Sequence, residues 1–353
     1  MDMFIFTTII TFLFSCLAIT HLNNKKEANI IFTAVVMVVL VLVSGLRNGI
    51  GDTVYYIHSY NMIGPEYNFM DGGYEPAFCL LLKILHSISP NPQLMIMVTS
   101  IIINVLNVWI IRKYSKDWFE LSVFLYVTTY YMVTMNGLRQ SLAAALIFSA
   151  TPLLIKKKTI LYCSLMVFLL LFHESTFIMI PLYFVVTKKA WSKEIWITIG
   201  IFIITMFFYE PVMKIIFSVM GDSKYAGYAD SNEGGANVFR IIIYFIPVLL
   251  SYLGRENLYK WKYSDVFINM TLINFIIMAF SYFNWIFARF TIYTQLYVVV
   301  SLPFLIKKCF SSKERRILYW GVMVFYFLFF ILEIKVGYIN YYSDYSLKDL
   351  LFY

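Results

Sequence analysis

"MNGLRQS", residues 135–141, separates two apolar runs, 119–135 and 139–155. Each run approaches the length a helix needs to cross a hydrocarbon core, so the seven residues read as the turn of a membrane hairpin. Such a turn needs only a change of direction. This one carries Asn136, Gly137, Arg139 and Gln140. An arginine costs about 2.5–3.5 kcal/mol at the centre of a membrane helix, so a guanidinium at the mouth of one asks for a partner.

The same pattern extends over the whole chain. Of 353 residues, 61% are hydrophobic and only 14% charged, against about 25% charged in a soluble domain. Apolar runs near 20 residues recur from end to end, and no stretch is polar enough for a separate soluble domain. The expectation is one all-α integral membrane domain, 1–353, a polytopic bundle. The first run lacks a basic leader and a small-residue cleavage site and reads as a retained span. The net charge of +8 does not indicate nucleic acid, because the basic residues sit in short clusters between apolar runs. Cys16, Cys79, Cys163 and Cys309 are scattered, with neither metal nor disulfide spacing. GxxxxGK[ST], HExxH and CxxC are absent, so no catalytic metal and no cofactor are expected.

Candidate spans are 3–20, 29–46, 93–111, 119–135, 139–155, 159–172, 174–187, 194–209, 238–253, 265–283, 290–306 and 317–336, about twelve. Strict alternation then puts Lys25/Lys26, Arg112/Lys113/Lys116, Lys156–Lys158, Lys188/Lys189/Lys193, Arg255/Lys260/Lys262 and the 307–316 cluster on one side. These are 19 of the 28 Lys and Arg, which makes that side the cytoplasm. A wrong span count would scatter them over both sides. Both termini fall outside, as do the longer segments 47–92 and 210–237 and a tail from 337. In the first of these, residues 74–88 read as a short interfacial helix that starts at Glu75 with Pro76 in its first turn. Between Lys158 and Lys188 lie only 29 residues, whereas two full spans need about 40. The apex "FHES", 172–175, is therefore expected below the outer surface, lining a protein cavity rather than facing lipid.

The polar residues at outward span ends form the candidate site. Candidate binding residues are Arg47, Asn136, Arg139, Gln140, Ser175, Arg240 and Arg289; candidate acid–base residues are His173, Asp52 and Glu75 in that order. Four arginines at one membrane face suit bidentate contact with a phosphate carried on a lipid. Blander roles stand beside these. Arg47 and Arg240 fit snorkelling to headgroups, Arg289 fits an interfacial anchor with Trp285, His173 fits a satisfied core group, and Asp52 fits a helix cap after the turn at Gly49 and Gly51.

"RNGIGDTVYY" (47–56), "GYEPAF" (73–78), "MNGLRQSLAAAL" (135–146) and "LFHESTFIMIPLYF" (171–184) follow one another in that order. In this the chain resembles the EpsG family of bacterial exopolysaccharide polymerases, which are Wzy-like, and the likeness continues weakly to "ARFTIY" at 288–293. The resemblance implies a multi-pass cell-membrane glycosyltransferase, loosely GT-C-like, acting at the outer face. Such enzymes move a growing glycan from one polyprenyl diphosphate to the sugar end of the next lipid-linked repeat, without nucleotide sugar. The implied partners are lipid-linked oligosaccharides, membrane lipids and other polysaccharide-assembly proteins. The arginines would then stabilise the leaving diphosphate, and Tyr55, Tyr56, Tyr74, Tyr225 and Tyr228 would be available to stack on sugars. Two rivals are weighed. A lipid-linked oligosaccharide flippase should show two related halves, which the sequence lacks. A membrane O-acyltransferase takes its acyl donor from the cytoplasm, whereas His173 maps outward.

Overall fold

The computed structural model describes residues 2–20, 27–64, 73–212, 214, 235–337 and 339–345, and every regular element among them is helical. Lys25, Lys26, Tyr225, Tyr228 and most of the expected outer loop 210–237 lie outside the described residues.

In chain order the α-helices are α1 (Asp2–Thr20), α2 (Ile30–Gly45), α3 (Thr53–Asn61), α4 (Pro76–Ile88), α5 (Gln93–Ser115), α6 (Phe119–Tyr126), α7 (Met132–Asn136), α8 (Leu138–Ser149) and α9 (Thr151–Ile155). Then come α10 (Thr159–Leu169), α11 (Met179–Val186), α12 (Lys193–Phe207), α13 (Val238–Leu253), α14 (Ser264–Phe280), α15 (Ile286–Phe290), α16 (Gln295–Phe304) and α17 (Ser312–Val336). Among the described residues three helical stretches are long and apolar enough to cross a membrane, Asp2–Thr20, Gln93–Asn136 and Ser312–Val336. A pair bent by 59°, Ile286–Tyr293 with Gln295–Cys309, makes a fourth, and seven shorter apolar helices accompany them.

The stretch 93–136 is not a straight rod. Lys116 takes φ 46° and a 3-10 turn follows, Lys116–Trp118. The Tyr126 hydroxyl then donates to Asn104 Oδ1 at 2.9 Å and accepts from Asn107 Nδ2 at 3.3 Å. On one straight helix residues 104 and 126 would be about 33 Å apart. So α5 and α6 run antiparallel, as two separate sequence spans required. Asn104 Nδ2 also donates to Ser44 Oγ of α2 at 3.0 Å, making a polar seam through an apolar bundle. The outer faces are the reverse of a soluble protein's. Trp320, Val324, Leu328 and Leu332 form an exposed stripe along α17, and Phe6, Ile9, Leu13 and Leu17 another along α1. In α1 the hydroxyls of Thr7, Thr8 and Thr11 bond back to carbonyls one turn earlier, so none faces the apolar surround unpaired.

The bundle has two chemically distinct ends, separated by α5, which is about 35 Å long. At one end Lys307 meets Glu120 at 2.8 Å, Lys308 meets Asp117 at 2.6 Å and Arg112 meets Glu27 at 3.4 Å. Asn269 Nδ2 donates to the Lys188 carbonyl there, and Lys260 Nζ to that of Lys308. Clusters far apart in sequence therefore share one end, as alternation requires. The other end holds the polar groups of the candidate site.

Several expected spans are interrupted. The run 119–135 passes through a π-helical turn at Val127–Tyr131, the run 139–155 breaks at Ala150, and 290–306 bends at Thr294. The 159–187 segment is a short hairpin, closed at its base by Thr159 Oγ1 and the Tyr183 hydroxyl at 2.7 Å. Its first arm, α10, is about 17 Å long, close to half a hydrocarbon thickness, so its apex ends inside the bundle.

Candidate active site

The turn at 135–141 packs directly against the first outward loop. Asn136 Oδ1 accepts the Asp52 backbone N–H at 2.9 Å. Gly51, with φ +54°, makes room for it: a Cβ at 51 would lie 2.1 Å from that oxygen. Only glycine meets both demands. Arg139, the second residue of α8, forms an ion pair with Glu75 at the start of α4, and its guanidinium lies over the Tyr74 ring, 4.4 Å from the centroid. The other Glu75 oxygen accepts the Glu174 N–H at 3.2 Å, so Glu75 ties α8 to the hairpin apex. The buried Arg139 Nε has no hydrogen-bond partner among the described residues.

The apex is a compact network. His173 caps the 3-10 turn Glu174–Ile178, its Nδ1 accepting the Ser175 N–H at 3.3 Å and lying 2.8 Å from Ser175 Oγ. Ser175 Oγ in turn meets the Tyr293 hydroxyl at 2.7 Å, and Gln140 Nε2 donates to it at 3.4 Å. Gln140 also donates to the Arg289 carbonyl at 2.9 Å. A ring nitrogen that accepts a main-chain N–H carries no proton, so the neutral imidazole holds its proton on Nε2.

These elements enclose a cavity of about 580 Å³, lined by Asp52, Asn136, Arg139, Gln140, His173, Arg240 and Arg289. Seven of the ten sequence-selected residues thus converge from five separate stretches of chain. Tyr56, Tyr244, Trp285, Glu333 and the π-helical turn at 127–130 complete the wall. Arg240 places Nη2 at 2.8 and 2.6 Å from the two Glu333 oxygens. Arg289 is the least engaged: it lies 3.9 Å from Asp52 Oδ2 and beside Trp285, 5.3 Å from the ring centroid.

Three selected residues do not line the cavity. Arg47 is 1% exposed. Its guanidinium bonds Thr53 Oγ1, Ser100 Oγ and the carbonyls of Ser44 and Met135, which fastens α2, α5 and α7 together. It clamps these helices from within the bundle and does not line the cavity. Ser175 lies behind His173 and bonds it. Glu75 lies behind Arg139, with its two carboxylate oxygens taken up by the Arg139 guanidinium and the Glu174 N–H. Asp52 occupies the cap position of α3 but makes no side-chain cap bond, leaving its carboxylate at the cavity. Of the tyrosines selected for stacking, Tyr56 lines the cavity, Tyr74 lies under Arg139 and Tyr55 points away, 68% exposed. Sequence reasoning missed Glu333. Its signal was a lone carboxylate near the outward end of the last apolar run, the kind of residue already singled out in the other spans.

No curated protein and no solved structure matches the chain. Residues 29–347, nearly the whole chain, match the EpsG family. This membrane protein belongs to the EpsG family.

Proposed function

We propose that this protein is a polymerase of lipid-linked oligosaccharide repeats, crossing the cell membrane about twelve times in a GT-C-like bundle with its active site facing outward. The single observation that supports this best is the convergence of Arg139, Arg240, Arg289 and His173 in one cavity at the end remote from the lysine clusters. Three guanidiniums in a partly apolar cavity fit a diphosphate on a lipid, and family membership points to polysaccharide synthesis.

In the proposed reaction an acceptor sugar hydroxyl attacks the anomeric carbon of the growing glycan. The bond from that carbon to the diphosphate oxygen breaks, and its electron pair leaves with the polyprenyl diphosphate. The arginines offset the charge that develops on the leaving group. The hydroxyl proton passes to Asp52, whose carboxylate lines the cavity with only a long contact to Arg289. His173 serves as a hydrogen-bond donor through Nε2 rather than as the base, since Nδ1 is committed to Ser175. The substrates are lipid-linked oligosaccharides within the bilayer, with other polysaccharide-assembly proteins supplying repeats and taking the product.

The test is the lipid-linked glycan profile of a strain lacking the gene. A polymerase defect leaves single lipid-linked repeats on the outer leaflet. Repeats confined to the inner leaflet would instead make the protein a flippase.

A further inference from the structure

A second cavity of about 460 Å³ adjoins the first. Met132, Val133, Asn136 and Glu333 line both, so they form a common wall. The far side of the second cavity is built by Gly49–Gly51 and by Gly337, Ile339, Asn340 and Tyr342. That tail segment is anchored. The Asn48 N–H donates to the Tyr342 carbonyl at 2.8 Å, and Asn48 Nδ2 to Asp344 Oδ2 at 2.8 Å.

The chemistry of the two cavities differs. The first presents three arginines and a histidine. Among the described residues the second has no Lys, Arg or His in its lining; it offers a carboxylate, two amides and the exposed ring of Tyr342. Amides and carboxylates pair with sugar hydroxyls, and an aromatic face packs on the C–H face of a pyranose. A diphosphate finds no cation among those described residues, whereas in the first cavity Arg240 offsets Glu333 and Arg139 and Arg289 stand beside it. Both volumes lie in the range of small-molecule sites, about 300–1,000 Å³.

We infer that the second cavity binds the uncharged sugar end of the acceptor and presents it to the diphosphate cavity across the wall of Asn136 and Glu333. This rests on the polymerase reading and deepens it. A transfer between two lipid-linked chains needs two sites that meet, one for a diphosphate and one for a saccharide. Glu333 then links them: it is held by Arg240 on the donor side and faces the acceptor on the other. Asn136 also lines both cavities, and its side chain fixes the Asp52 backbone.

The test uses the full-length protein in nanodiscs and two probes. One is farnesyl diphosphate. The other is the oligosaccharide released by mild acid from lipid-linked repeats of the deletion strain. Asn340→Trp fills the second cavity from an exposed position, and Tyr342→Ala removes its ring. Each is expected to weaken saccharide binding by about tenfold or more while changing farnesyl diphosphate affinity by less than about twofold. Arg289→Ala is expected to do the reverse. Unchanged saccharide affinity in both tail variants, or parallel loss of both probes in them, would overturn the inference. A wild-type protein that binds farnesyl diphosphate but no saccharide would overturn it and leave the polymerase reading standing. One that binds neither would remove both.

Discussion

Arg139 does two separable things in this account: it neutralises Glu75 and it faces the cavity. Substituting it by alanine leaves the Glu75 carboxylate, only 11% exposed, without its cation. Breaking a buried ion pair on one side costs about 3–5 kcal/mol. The partial exposure of the two side chains, 19% and 11%, puts this pair at the lower end, about 3 kcal/mol. Loss of the guanidinium from over the Tyr74 ring adds about 0.5–1 kcal/mol. In detergent, Arg139→Ala should therefore melt about 5 °C lower. Arg139→Lys keeps a cation near Glu75 and should recover most of that stability. It cannot offer two parallel donors to adjacent phosphate oxygens, so polymerisation should remain strongly impaired. The double variant Arg139→Ala with Glu75→Gln removes the orphaned charge. It should regain stability over Arg139→Ala without regaining activity. Polymer yield at matched protein level and melting temperature are to be read side by side for all three. Polymerisation retained in Arg139→Lys, or restored in the double variant, would refute the claim that Arg139 meets the substrate.

Further outcomes follow from the same geometry. His173→Ala should lower the rate by about 10²–10³-fold, the usual cost of losing one transition-state donor, whereas His173→Gln, which can keep a donor at the Nε2 position, should recover part of it; an equal loss in both would restore His173 as the base. Gly51→Ala should cost about 1–3 kcal/mol from the left-handed backbone alone, and should reduce activity by displacing Asn136, read by melting temperature and polymer yield. Arg47→Lys should lower stability with little change in the activity of the protein that remains folded, since its bonds are all internal; a purely catalytic defect at unchanged melting temperature would contradict that. With the four native cysteines replaced, an impermeant thiol reagent should label Ser87→Cys from outside and Lys157→Cys only after permeabilisation, and the reverse would invert the topology.

Much of this architecture was legible because membrane crossing imposes a simple periodic rule. Once the basic clusters fixed one side, residues hundreds of positions apart were assigned to the other end, and Asp52, Asn136, Arg139, His173, Arg240 and Arg289 do meet there. The short spacing from Lys158 to Lys188 also announced an apex inside the bundle. What the sequence did not carry was direction. Arg47 and Arg139 both sit at the outward mouths of apolar helices, yet one turns inward to four backbone and hydroxyl groups and the other reaches a cavity. That choice depends on neighbours brought by other helices. The π-helical turn at 127–131 and the bend at Thr294 have no proline or glycine to mark them, so each expected span read as continuous. Glu75 was read as a base because its partner, Arg139, is 64 residues away in the chain.

The proposed reaction joins lipid-linked repeats without nucleotide sugar. The most direct measurement is reconstitution of the purified full-length chain into proteoliposomes with isolated lipid-linked repeats and no other substrate. The account predicts a ladder of glycans at integer multiples of the repeat, with polyprenyl diphosphate released as each bond forms. Repeats that stay single and are merely redistributed between leaflets would contradict it.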